Sequence, residues 1–419
     1  MKPLIEISCP PKHLKDYSIF TPKVVERVSK LAKNLQGVRV THVNATAVGG
    51  GVAEMLRSLI PLQNDIGFSS KWYVIPPNEE FFNVTKEIHN FLQGKPGNLT
   101  NKQKKIYLDY NKNLANLLSE IKTDILIIHD PQPAAALSFL KQLPSVCLWR
   151  CHVDTTDPNQ SVWNFLVPYL RIYNPIVFST SEFVPHDFNQ DQVNIITPVI
   201  DPLIDKNRLT SKAEAKNHLQ KLGIDVSKPL VTQVSRLDPW KDPIGVIDSF
   251  FLAKKAIPKL QLALVAQTAD DDPEGIKIYQ KVRDYIKGKK DILLLVNLPE
   301  NDLAVNAFQT GSDMILQKSI REGFSLAVTE AMWKGTVVIG GNVGGIKAQI
   351  QDGVNSFLVN SIEETAQKIV YVLNHPEAAQ KISAVAHRSV QSQFLIPHKL
   401  LNYVQLFKKI LSPGSKLHR

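Results

Sequence analysis

Ser319-Ile320-Arg321-Glu322-Gly323-Phe324-Ser325-Leu326-Ala327-Val328-Thr329-Glu330-Ala331-Met332-Trp333 is the stretch around which the chain is organised. Ala327, Val328, Ala331 and Met332 recur at helical spacing, which predicts a helix starting near Ser325. Gly323 is expected to let the backbone turn tightly just ahead of it. The amides of Gly323, Phe324, Ser325 and Leu326 would then stand unpaired at the positive end of the helix dipole, a place for an anion that carries phosphate. Glu322 precedes the turn and Glu330 follows it. At roughly 1.5 Å of rise per residue, their separation is about 12 Å if helical. A sugar linked through two phosphates to a ribose has that reach, with one carboxylate for sugar hydroxyls and the other for ribose hydroxyls. Taken in isolation, the same spacing is more commonly a helix with a solvated glutamate at each end; the rest of the chain shifts the balance.

The chain has 419 residues, enough for two domains with a core each. Hydrophobic residues make up 43% and charged residues 21%, the composition of a globular protein without repeats. No run approaches the roughly 20 apolar residues of a membrane span, and Met1-Lys2-Pro3-Leu4-Ile5-Glu6 lacks the apolar core of a signal peptide. The three cysteines, Cys9, Cys147 and Cys151, make no disulfide framework and no zinc-type spacing, so a reduced cytoplasm is expected. A net charge of +10 suits an anionic ligand. Lys and Arg are scattered among Asp and Glu, with no basic block carrying spaced aromatics. Neither nucleic acid nor a membrane is an expected partner.

Outward from the opening stretch, strands and helices alternate. In the first half, Val38–Val43 reads as a strand running through Asn44–Gly51 into a helix, Val52–Leu62. The run Gly49-Gly50-Gly51 would bring backbone close to a ligand at the carboxyl end of a sheet, although a turn without a ligand fits as well. Strands at Asp124–Ile128 and Val146–Arg150 end in His129-Asp130 and in Cys151-His152-Val153-Asp154. Each pair alone suits a structural role; together they favour a site at the sheet edge. Pro198-Val199-Ile200-Asp201-Pro202 marks a hinge. Beyond it a second series begins at the strand Pro229–Ser235 and includes strands at Leu260–Ala266, Ile292–Val296, Met314–Leu316 and Thr336–Ile339. Alternation of this kind predicts α/β architecture, parallel sheets with helices on both faces. A closing helix, Pro397–Leu411, carries Leu400, Leu401, Val404, Phe407 and Ile410 on one stripe. It is expected to pack back on the first domain; Lys408 and Lys409 would otherwise suit a membrane surface.

Arg236 and Lys241 lie in the loop after the strand Pro229–Ser235, where an anion would be met. A guanidinium and an ammonium there could neutralise a diphosphate leaving group in place of a metal ion. Solvated surface charges are the plainer alternative for either alone. Asp270-Asp271-Asp272 has the D-x-D spacing that can hold a divalent metal, but it reads as a solvated acidic loop, and no metal site is expected.

Glu322-Gly323-Phe324 with Glu330, Ser235-Arg236 with Lys241, and Gly49-Gly50-Gly51 together resemble a retaining GT-B glycosyltransferase of family 4. The resemblance is closer still to the trehalose glycosyltransferring synthases. It is carried by His42-Val43-Asn44 through Gly51-Val52-Ala53-Glu54, by Glu80 to Lys86, by His129-Asp130-Pro131-Gln132-Pro133 and by Leu148-Trp149-Arg150-Cys151-His152. Further on it is carried by Gln233 to Arg236, Asp238 to Lys241, Asp271 to Gly275 and Ser319 to Gly335. These phrases span nearly the whole chain. The motifs of the second half are general to the family; those of the first half are the ones that resemble trehalose enzymes.

The resemblance implies two Rossmann-like, doubly wound domains facing across a cleft: residues 1–200 completed by 395–419 for the acceptor, and 201–394 for the nucleotide-sugar donor. It implies that Arg236 and Lys241 hold the donor diphosphate, Glu330 the ribose and Glu322 the transferred glucose. The backbone of Gly323, Phe324, Ser325 and Leu326 would complete the donor site, with Gly50 and Gly51 approaching the phosphate. His152 would lie at the reacting centre, with Asp130 and Asp154 toward the acceptor. The implied reaction passes glucose from a nucleoside diphosphate glucose to free glucose, keeping the α configuration and giving α,α-trehalose, reversibly. Attack from the face of departure lets the diphosphate take the acceptor's proton, so no cofactor is implied; a metal is not required, though Mg2+ is compatible. Domain closure about the hinge and a homodimer both fit. A retaining trehalose phosphorylase and family 4 enzymes with other sugar acceptors are the alternatives. A basic polyanion-binding protein on an inactive scaffold is the rival of another class, and the intact Glu322, Glu330, Arg236 and Lys241 argue against it. Val337 in place of a proline and Ser356 in place of a glycine depart from the family's pattern away from the expected site.

Overall fold

Unbroken aliphatic runs such as Ile125-Leu126-Ile127-Ile128 can satisfy their backbone and bury both faces only inside a parallel sheet covered by helices. The computed structural model describes residues 2–48, 50–267 and 273–412. It contains two such sheets, one in each of two units, Met1–Pro198 with Ile396–Arg419, and Val199–Leu395. Gly49 and the Asp270-Asp271-Asp272 run lie outside the described residues.

The first unit has strands β1 (Ile5–Glu6), β2 (Arg39–Asn44), β3 (Ser69–Val74), β4 (Ile125–His129), β5 (Val146–Arg150), β6 (Ile176–Phe178) and β7 (Val193–Ile195). Their order is β1-β3-β2-β4-β5-β6-β7, with only β1 antiparallel. One apolar cluster joins Val43, Ile128 and Trp149 of the sheet to Phe81, Tyr107, Leu114 and Trp163 of the helices Glu79–Leu92, Asn101–Leu118 and Gln160–Leu170. The closing helix, Ile396–Leu411, packs against Pro22–Ala32 and Gly51–Asp65 in this unit, as the sequence predicts. Leu400, Val404, Phe407 and Ile410 are fully buried. That rules out the membrane-surface alternative for its apolar stripe. Among the described residues no helix is long and apolar enough to cross a membrane.

The second unit has β8 (Leu230–Arg236), β9 (Gln261–Gln267), β10 (Ile292–Val296), β11 (Met314–Gln317), β12 (Val337–Gly341) and β13 (Phe357–Val359), all parallel, in the order β10-β9-β8-β11-β12-β13. On β9, Leu262 and Leu264 enter one apolar cluster while Ala263 and Val265 enter another, so the pleat divides the strand between two helix-covered faces.

Several elements stand beyond the sequence reading. The helix Gln160–Leu170 buries Val162, Trp163, Leu166, Val167 and Leu170 at helical spacing, but Phe165 and Tyr169 blur that stripe and Pro168 is an apparent breaker. The helices Ile362–Asn374 and Pro376–Gln393 also lie beyond it, although the first has a start signal in Ser361, whose hydroxyl accepts the Glu364 amide at 3.1 Å. The two departures from the family pattern are absorbed locally. Val337 opens β12, and the buried Ser356 hydroxyl accepts the Val338 amide at 3.1 Å.

Phe407 lies 5.8 Å from the Phe68 ring and fills the seam between the closing helix and the first unit. Phe407→Ala should destabilise this unit by about 3–5 kcal/mol. Denaturant titration checks this, and an unchanged midpoint would show that the seam does not support the unit.

Candidate active site

Adjacent parallel strands deliver their following loops to one edge of a sheet, and β8, β11 and β12 are consecutive neighbours. β8 ends in Arg236 and the connection after it carries Lys241, the loop after β11 carries Glu322, and the short helix Gly344–Lys347 that follows β12 opens with Gly344 and Gly345. The structure brings the first two together: the Lys241 ammonium pairs with the Glu322 carboxylate, which also accepts from the Ser319 hydroxyl at 3.3 Å. A second tie runs beside it, from the Ile320 amide to the Trp240 carbonyl at 2.8 Å. Asp238 shapes the Lys241 loop by accepting the Trp240 amide at 2.8 Å, and Gln233 holds the Lys241 carbonyl at 2.8 Å. Arg236 stands at the open end of β8, with its guanidinium 3.8 Å from Asp238 and half exposed. Asp242, in the left-handed region at φ 48°, caps Gly245 and pairs with Lys318 at 2.5 Å.

The helix of the opening stretch runs Leu326–Trp333. The tight turn before it is made by Ser325, at φ 69°, and not by Gly323 as the sequence suggested. A non-glycine residue held there stores roughly 1–3 kcal/mol. No acceptor among the described residues meets the amides of Gly323, Phe324 or Ser325. The buried Gln349 side chain fixes this loop from below, donating to the Phe324 carbonyl and to the Gly345 carbonyl at 3.1 Å while accepting the Thr329 hydroxyl at 2.5 Å. The glycine run after β12 serves close approach. A Cβ on Gly341 would meet the Ser319 carbonyl at 2.3 Å, and one on Gly345 would meet the Gly323 carbonyl and Phe324 Cα at 2.5 Å.

Glu330 lies apart from Glu322, on the buried side of its helix and 1% exposed. Lys206 pairs with its Oε1 at 2.7 Å and Gln309 donates to its Oε2 at 2.7 Å. Burial pushes this carboxyl up, but Lys206 and Lys334 outweigh it and hold the group below its ordinary range. Lys206, Gln309, Lys334 and Gln349 were not singled out from sequence; only Lys206 and Lys334 carry a charge that could have drawn notice, and both lie far along the chain from Glu330 or on its own helix.

In the first unit, Gly50 caps the Gly51–Asp65 helix with φ 178°, an extended conformation open to any residue, and a Cβ there would meet nothing within 4 Å. Asp130, at φ 62°, accepts the His152 amide on its Oδ1 at 2.7 Å, while its own amide donates to the Arg150 carbonyl at 2.8 Å. The residue is partly exposed, yet its carboxyl group is enclosed enough that burial pushes it up to about 7, against the His152 amide and Arg150. Asp154 is buried, and its Oδ1 accepts the Thr156 amide at 3.0 Å and hydroxyl at 2.7 Å. His152 is partly exposed, and its Nε2 lies 3.1 Å from Nδ1 of His129. Among the described residues no group of three or more His, Cys, Asp and Glu could hold a metal ion.

Because the groups against Gly345 are backbone, Gly345→Ala must displace the Glu322-Gly323-Phe324 loop. A loss of roughly 1–3 kcal/mol in the stability of the second unit is expected. Thermal unfolding checks this, and a wild-type midpoint would mean the loop yields freely.

Residues 42–185 match the trehalose synthase N-terminal domain family, and residues 214–388 match the glycosyl transferases group 1 family. A trehalose synthase of Thermococcus litoralis is 44% identical over 94% of this chain and 96% of its own length. A trehalose phosphorylase of Pleurotus pulmonarius is 27% identical over 79% of this chain and 51% of its own. A UDP-forming α,α-trehalose-phosphate synthase from Burkholderia xenovorans shares the fold, with TM-score 0.71 at 15% identity over 90% of this chain and all of that one, a GT-B glycosyltransferase neighbour. The chain belongs to the trehalose synthase family of group 1 glycosyltransferases, and its chemistry is trehalose-related glycosyl transfer.

Proposed function

We propose that the protein transfers glucose from a nucleoside diphosphate glucose to free glucose, with retention, to give α,α-trehalose, and runs in both directions. The observation that carries this reading is the second unit's edge: Lys241 paired with Glu322, and Arg236 at the end of β8, beside a turn whose amides at Gly323, Phe324 and Ser325 have no acceptor among the described residues. Two cations and several backbone donors suit a diphosphate that gains charge as it leaves. In this reading Glu322 meets the transferred glucose while Lys241 is drawn to the phosphate. Glu330 keeps lone pairs beyond those used by Lys206 and Gln309, and these serve the ribose hydroxyls. Gly323 to Leu326 supply the donor-site backbone.

For the first unit we assign Gly50 and Gly51 to the phosphate. Packing does not demand a glycine at position 50, which leaves close approach of a ligand as its reason. His152 is assigned to the reacting centre, and the remaining oxygens of Asp130 and Asp154 to the acceptor. Same-face attack, with the departing diphosphate taking the acceptor's proton, needs no second carboxylate nucleophile. The protein's part is to position both sugars and to stabilise phosphate charge. No cofactor enters this scheme, and Arg236 with Lys241 does the charge neutralisation that a metal would otherwise supply.

The test is forward synthesis from a nucleoside diphosphate glucose and labelled glucose, with the product's two anomeric protons read by NMR. Two α signals are expected. Lys241→Ala and Arg236→Ala should each lower turnover by roughly a hundredfold or more. Near-full turnover in either variant would contradict its assignment, and a β signal from the product's donor-derived anomeric proton would contradict retention.

A further inference from the structure

We propose that His42 and His129, anchored by Gln63, are positioning residues that fix the tautomer and ring orientation of His152. The proposal deepens the function above and rests on its placement of His152 at the reacting centre.

The arrangement follows from strand register. In the parallel set β2, β4 and β5, His42 is opposite Ile127, and His129 is opposite Arg150. Residues two apart on a strand share a face, so His42, His129 and Arg150 step along one face of the sheet. Gln63 of the helix Gly51–Asp65 meets His42 there, as does Tyr403 of the closing helix. His42 Nε2 lies 3.2 Å from Gln63 Oε1, His42 Nδ1 lies 3.0 Å from His129 Nε2, and His129 Nδ1 lies 3.1 Å from His152 Nε2. The rings are stacked at centroid distances of 5.3 and 5.4 Å. His42 and His129 are sealed from solvent at 0% and 2% exposure, whereas His152 at the end of the row is partly open.

Each of these contacts holds a single proton. The Gln63 carbonyl oxygen can only accept, so His42 Nε2 donates to it. A neutral His42 then offers a lone pair on Nδ1, which obliges His129 Nε2 to donate. The same logic obliges His152 Nε2 to donate to His129 Nδ1. The row therefore delivers His152 with its proton on Nε2 and its lone pair on Nδ1, which no group among the described residues meets. Neutrality is kept by the surroundings. Burial lowers His42 to about 3 and lowers His129 and His152 well below their ordinary value, and Arg150 and Lys399 add to this. The charged and titratable groups around the row are Arg150 on β5, Asp130 after β4, and Lys399 and Tyr403 on the closing helix. Asp130, which accepts the His152 amide, fixes the backbone of the same residue whose ring the row holds. His152 is thus prepared to accept a hydrogen bond from a sugar hydroxyl.

The experiment is nitrogen-resolved NMR of histidine-labelled full-length protein between about pH 5 and 8, with kinetics of the same samples. The expected result is His152 as the Nε2–H tautomer, invariant over this range. Gln63→Met and His129→Phe should convert it to a tautomer mixture that titrates. Turnover should fall by roughly tenfold or more while KM for the nucleotide sugar is unchanged. A wild-type His152 protonated on Nδ1, or a tautomer unaltered in the variants, would overturn the proposal. Should His129→Phe fail to fold, Gln63→Met decides alone. His152→Ala separates the two claims: full activity there, with the expected NMR, would remove His152 from the reacting centre and leave the relay in place.

Discussion

The pairing of Lys241 with Glu322 is the interaction on which the candidate site at the second unit's edge depends. Two loops leaving neighbouring strands have no ladder to hold them, and each carries charge. One ammonium facing one carboxylate ties them, and the Ile320 amide on the Trp240 carbonyl adds a second tie. Pairs of this kind add little net stability, yet losing one partner of an enclosed pair is costly because the other charge is left behind. Its contribution is therefore geometric: it sets where the Lys241 ammonium and the Glu322 carboxylate stand relative to the amides of Gly323 to Ser325. The rest of the edge serves the same placement. Gln349 holds the loop from below, and Gly341 and Gly345 let the β12 loop come within backbone distance.

The first unit solves a different problem. Its sheet buries His42, His129, Arg150 and Lys399 on the face beneath two helices, where ionised groups are expensive. Burial answers that cost by keeping the histidines neutral and by lowering Lys399 far below its usual value. Neutral imidazoles can donate hydrogen bonds in one direction, from His152 through His129 and His42 to Gln63.

Much of this was legible in the sequence, because strand–helix alternation and the glycine turns report directly on parallel sheets. The opening stretch, Arg236 and Lys241 were expected together, and the structure places them at one end of neighbouring strands, since a motif after a strand has few places to go. What stayed hidden depends on register and on distant partners. Ser325, not Gly323, takes the left-handed turn, and the Gly323 carbonyl instead lies where a Cβ on Gly345 would meet it. Glu330 looked like an open ligand carboxylate, but Lys206 and Gln309, each distant in sequence, enclose it. His42 and His129 lie 87 residues apart and become neighbours only through the β2–β4 pairing. The helix Gln160–Leu170 was hidden for a simpler reason: Phe165 and Tyr169 blur its apolar stripe, and Pro168 reads as a breaker.

The central claim is transfer between glucose and a nucleoside diphosphate. The most direct measurement is glucose release from trehalose by the purified protein, offered ADP, UDP, GDP or inorganic phosphate separately. The account predicts release that requires a nucleoside diphosphate and is absent with phosphate alone. Release driven by phosphate would contradict it and make the protein a phosphorylase.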